Sequence, residues 1–177
     1  MRIIRFADCP PAPWKNGAGS TRELWRLEDA DGMLARISVA EITGNQPFSS
    51  FPGIDRIILQ LDGPAMVLSL AGKDHHIATP FAFPGEAQVS CHLSGSGVAH
   101  DLNLMVRRDR FVPRMELETS VAGEALDPGA TAFLMLASAQ LVLPGIPVER
   151  GDLILPGAKA PILDRQVPLV RMELRHK

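Results

Sequence analysis

Apolar and polar residues alternate along most of this chain, and the alternation is interrupted roughly every 8–12 residues by glycine, proline or a polar cluster, the signature of short β-strands. From Thr21 the alternation sets Glu23, Trp25 and Leu27 on one face and Arg22, Leu24 and Arg26 on the other. Asp29-Ala30-Asp31-Gly32 follows, and then a partner run from Met33 to Ile42. A turn of that composition between two such runs predicts a β-hairpin. Further strands are expected at Arg56–Leu61, Ala65–Leu70, Val89–Leu93 and Val98–Arg107, the last two pairing across Ser94-Gly95-Ser96-Gly97. In the last of them Leu102 and Leu104 share one face, while Asp101, Asn103 and Arg107 share the other. Met1–Phe6 and Thr79–Glu86 read as shorter extended pieces, and Gly72 to His76 as a polar turn. No stretch holds a helical period with caps at both ends.

From Phe111 to Asp127 the composition turns charged, with Glu116, Glu118 and Glu124, and a connecting segment is expected there. After Pro128-Gly129 strands resume at Thr131–Leu136, Ala139–Leu143, Asp152–Leu155 and Leu169–Leu174. The pattern predicts an all-β chain, a sandwich or barrel, in two β-rich halves: residues 1–110 and a smaller half, 111–177. Pro47 to Gly63 is a turn cluster feeding a strand, a corner that sits at the mouth of a barrel with Arg56 at its lip.

Composition narrows the function classes. The chain has 177 residues, 46% of them hydrophobic and 21% charged, enough for a substantial core and too apolar for a disordered segment. Its fifteen glycines and fifteen prolines favour strands and turns over long helices. A net charge of −2 argues against a nucleic-acid partner, and Arg107-Arg108-Asp109-Arg110 is too short and interrupted for a nucleic-acid stripe. Cys9 and Cys91 lie far apart with no CxxC, so a reducing compartment is expected rather than a disulfide framework. The opening residues carry Arg2, Arg5 and Asp8 instead of an apolar leader. No window approaches the about 18 apolar residues of a membrane span. A cytoplasmic protein with no membrane partner is expected.

The candidate chemistry is polar rather than nucleophilic. Cys91 and His92 are neighbours on a strand and point to opposite faces. His75-His76 fall in a polar turn, and His92 and His100 on neighbouring strands are too few for a metal centre. Asp55 and Asp101 could act as an acid–base pair, or Asp55 could simply cap its turn and bond Arg56 or backbone donors. The loop from Trp14 to Arg22 carries Gly17 and Gly19, which permit a free turn or close approach to a ligand. Lys15, Asn16, Arg22, Arg56, Asp101 and Asn103 together suit a small carboxylate: a guanidinium grips it through two parallel donors, a lysine adds charge, and an amide reads a second group. Trp14 and Phe51 would wall such a pocket. The plainer alternative makes Arg56 and Asp101 a salt bridge and Asn16 a turn former.

Trp14-Lys15-Asn16-Gly17, the run from Pro47 through Phe51 to Arg56, and Asp101-Leu102-Asn103-Leu104-Met105 with Arg107-Arg108 resemble the HutD/Ves family. Gly151-Asp152-Leu153-Ile154-Leu155-Pro156-Gly157 and Leu61-Asp62-Gly63 resemble cupin turns. The resemblance implies a cupin-type β-barrel in a bicupin arrangement, and a family linked to histidine-utilisation operons with a regulatory or metabolite-sensing role. Ala18 interrupts what is often a run of three glycines in the family loop. Cupin metal sites use an HxHxxxxE corner, yet here Phe48 to Arg56 contains no histidine, and Ala158 and Lys159 stand at the later corner; neither metal nor cofactor is expected. Two readings result. One is a non-catalytic protein that binds a small carboxylate of the urocanate or formylglutamate type. The alternative is a metal-independent cupin enzyme, an isomerase or hydrolase with Asp101 or Asp55 as base. The absence of a nucleophile–base pair favours the first, and a homodimer is left open.

Overall fold

A computed structural model describes residues 1–14, 17 and 19–177. Apart from a one-turn 3-10 helix at Phe6–Asp8, its regular elements are strands. In chain order these are β1 (Arg2–Ile4), β2 (Ala12–Pro13), β3 (Gly19–Asp29), β4 (Gly32–Ile42), β5 (Gln46–Pro47) and β6 (Ile54–Asp62). There follow β7 (Met66–Leu70), β8 (Lys73–His76), β9 (Phe81–Pro84), β10 (Val89–Leu93), β11 (Ala99–Arg107) and β12 (Phe111–Thr119). The last are β13 (Ala132–Met135), β14 (Ala139–Gln140), β15 (Pro147–Val148), β16 (Leu153–Leu155) and β17 (Pro168–His176). Among the described residues no helix is long and apolar enough to cross a membrane.

The chain divides into two compact units, Pro10–Pro113 with His176–Lys177, and Met1–Cys9 with Arg114–Arg175. The first nine residues therefore group with the C-terminal residues rather than with the N-terminal half. β1 pairs with β16, Ile3 opposite Ile154. Asp152, 3% exposed, binds that opening segment: its carboxylate accepts from Arg5 Nη1 at 2.6 Å and from the Phe6 N–H at 3.0 Å. Phe133, Leu141, Ile154, Leu163 and Leu169 centre the core of this unit.

The larger unit is built on a six-stranded sheet in the order β2-β3-β4-β11-β6-β9 and a four-stranded sheet, β5-β10-β7-β8. Its core draws on both: Ile42, Ile58, Phe83 and Ala99 from the first, Met66, Leu68, Val89 and Cys91 from the second. The β3–β4 hairpin forms as the alternation predicts, with Asp29 opposite Gly32. Two β-bulges, at Glu23/Trp25 and Leu27/Glu28, interrupt its register, and such extra residues bend a strand and increase its twist.

Three local expectations are corrected. β10 and β11 do not pair across Ser94–Gly97; β10 lies between β5 and β7, and β11 between β4 and β6. Both edges of each strand are already taken by other strands, so the five-residue connection 94–98 carries the chain from one sheet to the other. Lys73–His76 is strand β8, paired with β7, because the turn closes earlier at Ala71-Gly72. The charged stretch after Phe111 is strand β12: Phe111 and Met115 are buried, while Glu116 and Glu118 reach Arg171 on the polar side. Charge at alternate positions marked a half-solvated strand, not a linker.

Candidate functional site

The three central strands of the six-stranded sheet present one face that is apolar at one end and polar at the other. In register across the face lie Arg36, Met105, Arg56 and Phe83; the next row is Ser38, Asn103 and Ile58; the next is Ala40, Asp101 and Gln60; and Ile42 with Ala99 closes the apolar end. Opposite His100 and Asp101 the register shifts, leaving Leu61 as an extra residue on β6 between Gln60 and Asp62, which bends β6 beside this row. Over the polar end opens a cavity of about 560 Å³, lined by Arg36, Ser38, Arg56, Asp101 and Asn103 from these strands and by Trp14, Thr21, Phe48, Ser49 and Phe51 around them.

Two glycines place the walls. A side chain at Gly19 would meet the Glu41 carbonyl oxygen at 2.2 Å and the Trp14 ring at 2.8 Å, so only glycine lets the indole lie against the strand. Trp14 then donates from Nε1 to Thr21 Oγ1 at 2.7 Å. The close approach expected of this loop is thus to Trp14. A side chain at Gly85 would meet the Phe51 carbonyl oxygen at 2.5 Å; the bare backbone instead accepts from the Phe51 N–H at 2.8 Å and donates to the Ile54 carbonyl at 2.7 Å. That seats Phe51 on the cavity.

Arg56 is 6% exposed and lies inside, not at a lip. Its guanidinium carbon sits 4.9 Å from the centre of the Phe83 ring, 5.0 Å from that of Phe48 and 5.7 Å from that of Phe51, a cage of three ring faces that favours a cation. Nη2 donates to Asn103 Oδ1 at 2.7 Å, and Asn103 Nδ2 donates in turn to Asp101 Oδ1. Arg56 and Asp101 are therefore joined through Asn103 rather than as a direct pair. Asn103 thus positions Arg56 against Asp101, and its amide keeps a second N–H and a second lone pair on the cavity lining. Burial pulls the Arg56 pKa down to about 10, leaving it charged at neutral pH. Burial likewise pushes Asp101, fully enclosed, up to about 7, against the pull of Arg56. The neighbouring Cys91 thiol is pushed up to about 12 by burial and by Asp101, which keeps it inert.

Arg36 is the residue the sequence reading missed. Its Nη2 lies 3.1 Å from Met105 Sδ, its guanidinium carbon 5.7 Å from the Phe51 ring centre, and burial lowers its pKa, with Glu23 opposing. Neither Arg36 nor Arg56 forms a salt bridge among the described residues, and the Nε atoms of both, together with Asp101 Oδ2, are buried without a hydrogen-bond partner. A signal was present: Arg36 and Ser38 are polar positions inside the apolar run from Met33 to Val39.

Of the expected site residues, Phe51, Arg56, Asp101 and Asn103 meet at the cavity. Arg22 does not: it stands opposite Val39 while its neighbour Thr21 stands opposite Ala40, and alternation sends its side chain to the other face. Lys15 and Asn16 lie outside the described residues. Asp55 is not part of an acid–base pair; it accepts from Arg108 Nε at 2.6 Å, and Arg108 also holds Glu86. His92 contacts Ser90 and His100 contacts Asp62, on strands of different sheets. Among the described residues no three His, Cys, Asp or Glu side chains are grouped to hold a metal.

The profile of the HutD family matches residues 6–163. An uncharacterized 21.2 kDa protein in the hutC 3' region of Pseudomonas putida is 40% identical over 121 residues, which are 66% of this chain and 63% of that protein, just under two thirds of its length. Protein Ves of Citrobacter koseri is 34% identical over 145 residues, covering 80% of this chain and 76% of its own. The structure of HutD from Pseudomonas fluorescens is similar over 98% of both chains, with a TM-score of 0.78 and 29% identity. A cupin 2 conserved barrel domain protein from Leptotrichia buccalis, at 11% identity and a TM-score of 0.64 over 99% of this chain and 97% of its own, shares the fold alone, which is cupin-like.

Proposed function

Because the chain belongs to the HutD family, we propose that its cavity holds a small carboxylate and that the protein is a non-catalytic binding protein, a sensor or modulator of histidine-utilisation metabolism. The single observation that carries this reading is Arg36 and Arg56 in one cavity, both partly stripped of water and neither ion-paired among the described residues. Unpaired guanidiniums withdrawn from water, Arg56 buried and Arg36 half-buried, are costly, and a carboxylate supplies the missing counter-charge and acceptors. The volume fits a metabolite-sized acid. Hydroxyls of Ser38, Ser49 and Thr21 remain to read its other polar groups. Urocanate and formylglutamate are the acids we favour, from the hutC-region relative. We further read the fold as a bicupin barrel and the compartment as the cytoplasm.

The competing reading, metal-independent catalysis, retains Asp101 as a base, because Asp55 is held by Arg108. Calorimetric titration of urocanate and N-formylglutamate into the protein tests the binding reading. Saturable binding that Arg36→Ala weakens by about tenfold or more, with the acid recovered unchanged, supports it. Steady conversion of the acid would replace it with the catalytic reading.

A further inference from the structure

The carboxylate reading leaves one buried group unused, the second oxygen of Asp101. Asp101 lines the cavity, is 0% exposed, and satisfies only Oδ1, through Asn103; among the described residues Oδ2 has no partner. What faces it is sparse. On β6 the register neighbour is Gln60, neutral and occupied with the Met66 N–H, and the one charge from that strand is Arg56. On β4 the neighbour is Ala40, with Arg36 two rows further along the same face. From β10 comes the neutral Cys91 thiol, and Asn103 follows on its own strand.

Resting on the carboxylate reading, we infer that a dicarboxylic acid entering this cavity is accompanied by a proton from solvent, which settles on Asp101. Among the described residues that line the cavity, Arg36 and Arg56 bring two positive charges and ionised Asp101 one negative. A dianionic acid added to these leaves a buried net negative charge; the same acid with Asp101 protonated leaves none. The proton bonds to a carboxylate oxygen, no bond in the acid breaks, and the orphaned acceptor becomes a donor on the cavity lining. Burial already holds Asp101 up to about 7, and an anion arriving nearby raises it further. By linkage, acid and proton then promote each other's binding.

The test is calorimetry with glutarate and N-formylglutamate, neither of which titrates above about pH 6. It is run from about pH 6 to 9 in two buffers of different ionisation enthalpy. For the parent, affinity is expected to level off below about pH 7 and to fall about tenfold per pH unit above it, with close to one proton taken up per acid bound at the alkaline end. Asp101→Asn, which imitates the protonated carboxyl, should bind as the parent does at pH 6, show no dependence on pH, and take up no proton. Parent binding that is flat with pH and free of proton uptake overturns this inference alone. So does loss of affinity in Asp101→Asn at every pH, which would mean the ionised carboxylate is what the acid's own donor reads. If neither acid binds the parent at any pH, the carboxylate reading falls and takes this inference with it.

Discussion

Arg36 and Arg56 occupy the same cross-strand row, each standing opposite Met105, one from β4 and one from β6. Two guanidiniums on one face with a single thioether between them repel each other, and Phe51 lies over both at 5.7 Å. Asp101 offsets part of that repulsion at Arg56 and Glu23 part of it at Arg36; the carboxylate we propose would offset more.

That row makes the first prediction. Arg36→Ala is expected to weaken acid binding by about 1.5–3 kcal/mol, roughly tenfold to more than a hundredfold, the worth of a charged hydrogen bond. Arg56→Lys keeps the charge but loses both the fork and the stacking on Phe48 and Phe83, so it should weaken binding clearly. Arg22→Ala, on the opposite face, should bind as the parent does. Calorimetry on the three folded variants decides, and equal losses for Arg22 and Arg36 would place the site elsewhere.

The second prediction concerns stability without ligand. The folded pKa of Asp101 is raised from 3.8 to about 7, so the native state holds its proton more tightly than the unfolded chain does. The cost of ionising it in place is therefore absent below about pH 4, grows from there to about pH 7, and is fully present above. Asp101→Asn should consequently melt several degrees higher than the parent at pH 8, by on the order of 2–4 kcal/mol, with the gap closing toward pH 4. Thermal melts across that range read it directly; a variant less stable at pH 8 would show that the ionised carboxylate supports the fold.

Gly19→Ala is expected to cost about 1–3 kcal/mol, because the new methyl group collides with the Glu41 carbonyl and the Trp14 ring, and backbone cannot yield cheaply. Gly44→Ala, with open space around the new carbon, is the control and should change little. Urea denaturation of the pair measures the difference.

In the other unit, Asp152→Ala should cost about 2–4 kcal/mol and loosen the opening segment. It strips Arg5, the Phe6 N–H and the Glu149 N–H of their shared acceptor. Amide exchange of Ile3 and Ile4 should accelerate; exchange as slow as in the parent would mean that pairing with β16 holds the segment unaided.

The strands were legible because alternation survives wherever one face of a sheet is buried, as in the β3–β4 hairpin. Partner choice was not: Val89–Leu93 and Ala99–Arg107 look like a hairpin locally, and only the competing edges of β4, β6 and β7 separate them. The site was half legible. Asp101 and Asn103 followed from their spacing, and Arg56 from its corner. Arg22 was misplaced because its own strand position, opposite Val39, turns it away. Arg36 was hidden because a charge in the middle of an apolar strand reads as a solvent-facing residue until the cavity over it is seen. That Asn103 would bridge Arg56 and Asp101 was not readable at all, since it depends on side chains from two strands meeting.

The indole of Trp14 lies on the cavity wall with its N–H given to Thr21, in a chain with two tryptophans and no tyrosine. The protein thus carries its own optical probe. Excited near 295 nm, only Trp14 and Trp25 emit, and in Trp25→Phe all of the emission comes from the wall itself. An occupant that displaces water from that ring or disturbs its bond to Thr21 will change the colour or the intensity of the light, so filling of the cavity can be followed in real time with no label attached.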